Sequence, residues 1–232
     1  MNRRLPVAWW LVFPPLLLVV ALTIKTWSLE IYDQVMEGEQ GIIELGTAFF
    51  ALGASVLALQ GARLAHGLGR RDVFIWFLVV AVGCLYIGGE ELSWGQQLFH
   101  WHTPHSIEQL NRQHETNLHN MSSWFNEKPR ILVELSVLVG GVLLPAYRYL
   151  RRRPLGPDAG FAYWLWPPSE LFLTGLLAIL VIIPKRYEYL AGVPLVPLNP
   201  RWSELQEYYF ALFLWLYALS VVRRLEGLRA GG

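Results

Sequence analysis

The chain has few charged residues and a single cysteine. Asp, Glu, Lys and Arg make up 16% of its 232 residues, whereas a soluble domain usually contains about a quarter. This deficit excludes an ordinary soluble globular protein. Cys84 has no second cysteine to pair with, which excludes an internal disulfide and a zinc site built on cysteine pairs. The net charge of +1 gives no basic character that would favour a nucleic-acid partner.

The chain also lacks the short motifs of several enzyme classes. It contains no G-x-S-x-G nucleophile elbow, no Walker A sequence and no dinucleotide-binding glycine fingerprint. His114 and Glu115 begin like the H-E-x-x-H zinc motif, but the next histidine is His119, five residues after His114. The two imidazoles therefore cannot share one helix face, as that motif requires.

Long apolar segments, in contrast, are abundant. There are six, and they cover roughly residues 7–24, 41–62, 73–92, 131–150, 161–183 and 204–222. A helix of about 20 residues rises far enough to cross a hydrocarbon core about 30 Å thick. We therefore predict an all-α integral membrane protein with about six transmembrane helices, and one polytopic membrane domain over residues 1–232. The first segment is long and tryptophan-rich and has no clear cleavage site, which favours a retained helix over a signal peptide.

Local signals refine the starts of two helices. Pro167 and Pro168, followed by an acidic residue, predict that the fifth helix begins near Pro168. Ser203 with Gln206 matches a capping box, which predicts the start of the last helix.

Lys and Arg are distributed unevenly between the two sides of the predicted bundle. With the N-terminus inside, 12 of the 19 basic residues fall on the inner side, most densely in the short loops 63–72 and 147–157. The positive-inside rule then predicts that both termini are cytoplasmic. It also predicts that the polar loop 93–130, between helices three and four, lies on the outer face. In a bacterium this places the protein in the inner membrane, with the loop in the periplasm.

The outer loop has its own predicted helix. An S-x-x-Q capping box that begins at Ser106 predicts a short amphipathic helix over about residues 107–121. Asn111, Glu115 and His119 would share one face of this helix, at i, i+4 and i+8. A Glu–His pair at this spacing can converge on one metal ion or one proton, or can form a simple surface pair.

Two adjacent carboxylates, Glu90 and Glu91, close the third apolar segment. They lie near the C-terminus of a predicted helix, where the helix dipole disfavours anions, and their like charges repel each other. An arginine, a histidine, a metal ion or a proton must compensate them, either in a functional site or in a buried ion pair that orders the loop. Glu44, Glu134 and Glu207 differ, because they lie near predicted helix N-termini, where the dipole favours acids.

The candidate site combines groups from the third helix and the loop. The candidate catalytic residues are Glu90, Glu91, Glu115 and His119. The candidate substrate-binding residues are Ser93, Gln97, Asn111, Gln113, Asn117 and Asn120. The candidate metal ligands are Glu91, His102, His105, Glu115 and His119, and the candidate cofactor is one divalent ion, zinc or manganese. The outer ends of the other helices add Glu44, Glu134 and Glu207 as further candidates.

Two strings in this region resemble a family of bacterial multi-pass membrane proteins. They are E-E-L-S-W-G-Q at residues 90–96 and N-x-Q-x-E-x-N-L-H-N at residues 111–120. The resemblance covers about 30 residues and the general helix pattern. It implies a multi-pass membrane fold and does not imply a particular reaction.

Three functions fit these features. The favoured one is a hydrolase or transferase, metal-dependent or not, that acts on a membrane lipid or a lipid-linked substrate at the outer leaflet. Glu91 would be the general base or a metal ligand, and His119 with Glu115 would be its acid–base partner. The alternatives are a non-catalytic assembly subunit that docks a membrane protein partner, and a proton- or cation-coupled transporter. Transport is less favoured, because the acids gather at one face and no inverted repeat is visible.

Overall fold

Six helices that are long and apolar enough to cross a membrane make up most of the part of the chain that the structure describes. The computed structural model describes residues 5–36, 41–99, 101–103, 116–117, 123–196 and 200–230, and all regular secondary structure within these ranges is helical. The six helices, named α1 to α6 in chain order, are Ala8–Trp27, Ile42–Gly67, Arg71–Glu91, Glu127–Arg151, Ala162–Ala191 and Trp202–Arg229. Each coincides with a predicted apolar segment, which confirms the prediction of an all-α, multi-pass membrane protein.

Shorter helical pieces and irregular turns complete the described chain. They include Leu29–Val35 after α1, Gln96–Phe99 after α3 and the 3-10 turn Pro157–Ala159 before α5. Two π-helical stretches, Ala8–Val12 and Val137–Leu143, lie within α1 and α4. Thr116 and Asn117 have irregular backbone, so the helix predicted over residues 107–121 does not run unbroken through them. The rest of that predicted helix lies outside the described residues.

The last helix, α6, is the centre of the bundle. In its most apolar window 78% of the residues are buried inside the protein, against 17 to 44% for the other five helices. A helix that is surrounded by protein can carry polar side chains that would be costly against lipid. This explains why Gln206, which is fully buried, and Arg224, which is 9% exposed, lie within an apolar helix.

α2 and α3 form a closely packed hairpin. Gly61 lies against the ring of Phe77, and Gly88 lies against Leu52, where a Cβ on the glycine would be 2.7 Å from Leu52 Cγ. Small residues allow transmembrane helices to approach closely and to gain dispersion contacts that lipid would otherwise supply. This packing fixes the C-terminal end of α3, which carries the two adjacent carboxylates.

α5 is interrupted near its start by a pair of prolines. A short helix, Ala162–Leu165, ends before Pro167 and Pro168, and a 3-10 turn at Ser169–Leu171 follows. The main part of the fifth helix therefore starts directly after Pro168, as the sequence predicts. Neither proline has a backbone N–H to donate to the preceding turn, so a regular helix cannot run through the pair.

A second break divides the remainder of α5. The apolar helix Phe172–Leu180 ends before Val181 and Ile182, and a second helix, Ile183–Ala191, follows. Pro184 lies in the first turn of this second helix, where its missing N–H costs little. The Ile183–Ala191 segment has no buried residue and carries charged and tyrosine side chains. This composition is typical of the interface between membrane and water.

At the opposite end of the bundle, α6 anchors the short helix Ala162–Leu165. Arg224 Nη1 donates to the carbonyl oxygen of Tyr163 at 2.6 Å, and the Tyr217 hydroxyl donates to that of Trp164 at 2.7 Å. Such terminal carbonyls have no partner within their own helix. The Arg224 guanidinium also lies 4.8 Å from the centroid of the Tyr163 ring. This buried cation therefore has a structural role.

Candidate functional site

Acidic residues from three helices gather at one end of the bundle. Glu91, at the end of α3, interacts electrostatically with Glu90 beside it, with Glu44 of α2, and with Glu204 and Glu207 of α6. We call these five residues the acidic cluster. Like charges at this density require compensation by basic side chains, a bound cation or protons. The structure thus brings together carboxylates that are up to 163 positions apart in the chain, between Glu44 and Glu207.

The two adjacent carboxylates of the cluster have different surroundings. Glu90 is 4% exposed, and the indole Nε1 of Trp94 donates a hydrogen bond to its Oε1 at 2.6 Å. Glu91 is partly exposed, and it lies near the carboxylates of α2 and α6. Glu90 is therefore held within the packed structure, whereas Glu91 is the more accessible of the two.

The backbone turns sharply directly after Glu91. Ser93, Trp94 and Gly95 all have positive φ angles, of 45°, 54° and 92°. For residues with a Cβ, the left-handed conformation costs roughly 1–2 kcal/mol each. The Trp94 ring folds back over Gly89, where a Cβ would lie 2.9 Å from the ring. Gly89 thus provides the space that Trp94 needs to reach Glu90. Strained backbone of this kind is concentrated at functional sites.

The described part of the loop closes onto this turn. Asn117 is 2% exposed, and its Nδ2 donates to Ser93 Oγ at 3.0 Å. Gln96 Oε1 accepts from the backbone N–H of Thr116 at 2.6 Å, and Gln96 Nε2 donates to Thr103 Oγ1 at 2.9 Å. Ser93 and Asn117, both predicted to bind substrate, do lie together. Their observed contact docks the loop onto the end of α3.

Arg130 of α4 supplies positive charge at the same end of the bundle. Its Nη2 donates to Gln206 Oε1 at 2.7 Å, and its Nη1 lies 3.4 Å from Glu207 Oε1. Gln206 Nε2 in turn donates to the carbonyl oxygen of Ala178 at 3.2 Å. Ala178 lies in the last turn of Phe172–Leu180, where carbonyls lose their helical partners. Arg130 thus compensates Glu207, and Gln206 joins α4, α5 and α6.

The capping box predicted for α6 is wrong. The helix begins at Trp202, and its N-cap residue, Arg201, makes no side-chain capping bond. Ser203 instead accepts a hydrogen bond from Lys185 Nζ at 3.0 Å. Gln206 cannot complete the box, because its amide is directed to partners on α4 and α5. Tertiary contacts therefore determine the roles of both residues.

The remaining candidates have separate surroundings. Glu134 is paired with Arg186 of α5, whose Nη2 lies 2.5 Å from Glu134 Oε1. His102 is exposed. Within the described part of the chain, no group of three His, Cys, Asp or Glu side chains is arranged to hold a metal ion. Outside the described residues lie His105, Asn111, Gln113, Glu115, His119 and Asn120, together with the side chain of Gln97. The metal site and its ligands therefore stay a prediction.

Four residues that position the site were not predicted to do so from the sequence, in which Gln206 was assigned only to a capping box. They are Trp94, Gln96, Arg130 and Gln206. Trp94 and Gln96 lie inside the E-E-L-S-W-G-Q string, and that adjacency is the signal that could have identified them. Arg130 and Gln206 lie at the ends of apolar helices, where a polar side chain that faces the bundle needs a partner.

The chain matches no protein-family model, no curated protein sequence and no solved structure. Evidence on its function therefore comes from its own residues.

Proposed function

We propose that the chain is a membrane enzyme that acts on a lipid or lipid-linked substrate at the acidic cluster, with Glu91 as general base. The observation that supports this proposal is the contrast between the two adjacent carboxylates. Glu90 is buried and hydrogen-bonded by Trp94, whereas Glu91 is partly exposed among other carboxylates. One carboxylate is thereby fixed in place, while the other is available to accept a proton from a reacting group.

The position of Glu91 favours a lipid over a water-soluble substrate. Glu91 is the last residue of a helix that is long enough to cross the membrane, so it lies near the boundary between hydrocarbon and headgroups. At this boundary, a carboxylate base can promote hydrolysis or group transfer at the phosphate or acyl group of a lipid. Glu115 and His119 are the proposed acid–base partners.

The same groups would suit one divalent metal ion. Glu91, Glu115, His119, His102 and His105 are oxygen and nitrogen ligands of the kinds that zinc and manganese accept. A bound ion would supply Lewis acidity to the substrate oxygen and would compensate the charge of the acidic cluster. By the distribution of arginines, the acidic cluster faces outward, which in a bacterium is the periplasmic side of the inner membrane.

The test compares lipids from cells that carry the wild-type chain, the Glu91→Gln variant or no copy of the gene. We expect one lipid or lipid-linked species to accumulate, by mass spectrometry, in both the deletion and the Glu91→Gln cells. Glu127→Gln, which changes an exposed carboxylate at the start of α4, is the matched control and should restore wild-type lipids. Full complementation by Glu91→Gln, with a membrane protein that co-purifies, would favour an assembly subunit.

One observation favours proton- or cation-coupled transport as a second candidate. α5 is interrupted at Val181 and Ile182, beside the buried Gln206 and its partner Arg130. Transporters often place substrate sites at interrupted helices, but usually at a symmetric pair of them. The other five spans run unbroken, so an enzyme is favoured. Proton flux into liposomes that contain the purified chain, above that of empty liposomes, would reverse this preference.

A further inference from the structure

A cleft opens between the Ile183–Ala191 segment of α5 and the start of α6. Its volume is about 390 Å³, within the range of roughly 300–1,000 Å³ that is typical of small-molecule sites. Side chains of both charges line the cleft: the basic residues are Lys185 and Arg201, and the acidic residues are Glu188 and Glu204. These four groups are formally neutral as a set, so the cleft suits a ligand that carries one positive and one negative group.

The two cations of the cleft contact neighbouring polar side chains. Lys185 Nζ donates to Ser203 Oγ at 3.0 Å, and Arg201 Nη1 donates to Glu204 Oε1 at 3.0 Å. An ammonium group has three N–H donors and a guanidinium group has five. Both cations are exposed, and a phosphate is the anion for which charged N–H donors of this kind are best suited.

The walls of the cleft have the composition of a membrane–water interface. The Ile183–Ala191 segment continues directly from the apolar part of α5 but contains no buried residue. Tyr189 lines the cleft and is 89% exposed, and the neighbouring Leu190 is 83% exposed. Tyrosine beside leucine and charged groups at the end of a span is typical of the membrane interface. A ligand in this cleft can therefore extend acyl chains into the adjacent hydrocarbon.

We propose that this cleft binds the headgroup of a zwitterionic phospholipid that carries a primary amine. The phosphate would contact Lys185 and Arg201, and the ammonium group would donate hydrogen bonds to Glu188 and Glu204. Arg201 already pairs with Glu204, but a purely anionic headgroup would bring no positive group to Glu188, and a quaternary ammonium group has no N–H to donate. Glu204 belongs to both the cleft and the acidic cluster, but this inference does not depend on the proposed enzyme activity.

The test is native mass spectrometry of the full chain in detergent, titrated with three phospholipids that have identical acyl chains. We expect phosphatidylethanolamine to bind at least fivefold more tightly than phosphatidylglycerol or phosphatidylcholine. Lys185→Gln/Arg201→Gln should weaken binding of phosphatidylethanolamine about tenfold, because the phosphate loses both charged partners. Lys128→Gln, which changes an exposed lysine at the start of α4, is the matched control and should bind like the wild type.

A second variant separates amine recognition from phosphate recognition. Glu188→Gln should reduce the preference for phosphatidylethanolamine over phosphatidylcholine, while phospholipid binding itself remains. Equal binding of the three lipids by the wild type, or unchanged binding by the double variant, would overturn the proposal. Soluble phosphoethanolamine that binds as tightly as the phospholipid would overturn the assignment to a lipid. Circular dichroism and size-exclusion chromatography check that each variant is folded.

Discussion

The indole nitrogen of Trp94 lies 2.6 Å from Oε1 of Glu90 and donates a hydrogen bond to it, four residues back along the chain. Trp94 makes this bond from a left-handed backbone conformation, with a φ of 54°. The bond thus holds a strained turn folded back on the end of α3. Because Glu90 is 4% exposed, water cannot easily replace the indole as a donor.

Trp94→Phe should therefore destabilise the protein while it preserves most of the ring contacts. A buried carboxyl oxygen loses a donor, which costs about 1–3 kcal/mol in the free energy of unfolding. Thermal unfolding in detergent, followed by circular dichroism, measures the loss. Trp27→Phe is the control, because Trp27 is 80% exposed. Equal stability of the two variants would show that the indole bond does not hold the turn.

Gly88→Ala should destabilise the hairpin of α2 and α3. The added Cβ would lie 2.7 Å from Leu52 Cγ and 3.2 Å from the Leu52 backbone nitrogen, so the backbone of α2 would have to move. Overpacking of this kind costs about 1–3 kcal/mol. Gly83→Ala on the same helix is the matched control, because its Cβ would meet no atom within 4 Å. The melting temperatures of the two variants should differ, and a Gly88→Ala protein as stable as Gly83→Ala would contradict the packing.

The architecture of the bundle is largely predictable from the sequence. Six apolar runs long enough to cross a membrane predict the six helices, because a chain in lipid must satisfy its backbone hydrogen bonds internally, as a helix does. The proline pair at Pro167 and Pro168 gives the start of the main fifth helix. The alternation of the spans also predicts that Glu44, Glu91 and Glu207 lie at one end, since each is near the same end of its helix.

The details of the site are less predictable, because they depend on contacts between distant elements. The left-handed turn at Ser93 and Trp94 contains residues that rarely adopt positive φ, and it is stabilised by its contacts with Gly89 and Glu90. Gln206 matched a local capping pattern, yet its partners lie on α4 and α5. Local patterns cannot indicate such partners, since several polar groups compete for each buried donor and acceptor.

Gln206→Met should destabilise the junction of α4, α5 and α6. The substitution conserves much of the side-chain volume but removes the acceptor for Arg130 and the donor for the carbonyl of Ala178. A buried carbonyl without a donor costs about 1–3 kcal/mol. Gln60→Met is the control, because Gln60 is exposed and its bond to Glu226 is 3.4 Å long. If unfolding in detergent shows the same midpoint for both variants, Gln206 does not join the three helices.

The predicted orientation can be measured with single cysteines. Cys84 is buried and is the one native cysteine, so Cys84→Ala provides a background without thiols. A membrane-impermeant maleimide should label Tyr189→Cys in intact cells and Asp158→Cys only after lysis, because the arginine-rich loops are predicted to be cytoplasmic. Both positions are exposed. The reverse labelling pattern would place the acidic cluster on the cytoplasmic side.

Metal content decides between two forms of the proposed chemistry at Glu91. The purified protein should contain about one equivalent of zinc or manganese by inductively coupled plasma mass spectrometry, because carboxylate and imidazole groups are typical ligands of both ions. Glu91→Gln/His119→Ala should lose this metal and stay folded, whereas Glu127→Gln should keep it. Metal retained by the folded double variant would exclude Glu91 and His119 as ligands. Protein without metal, in cells whose lipids still depend on Glu91, would show that the carboxylate acts as a base without metal assistance.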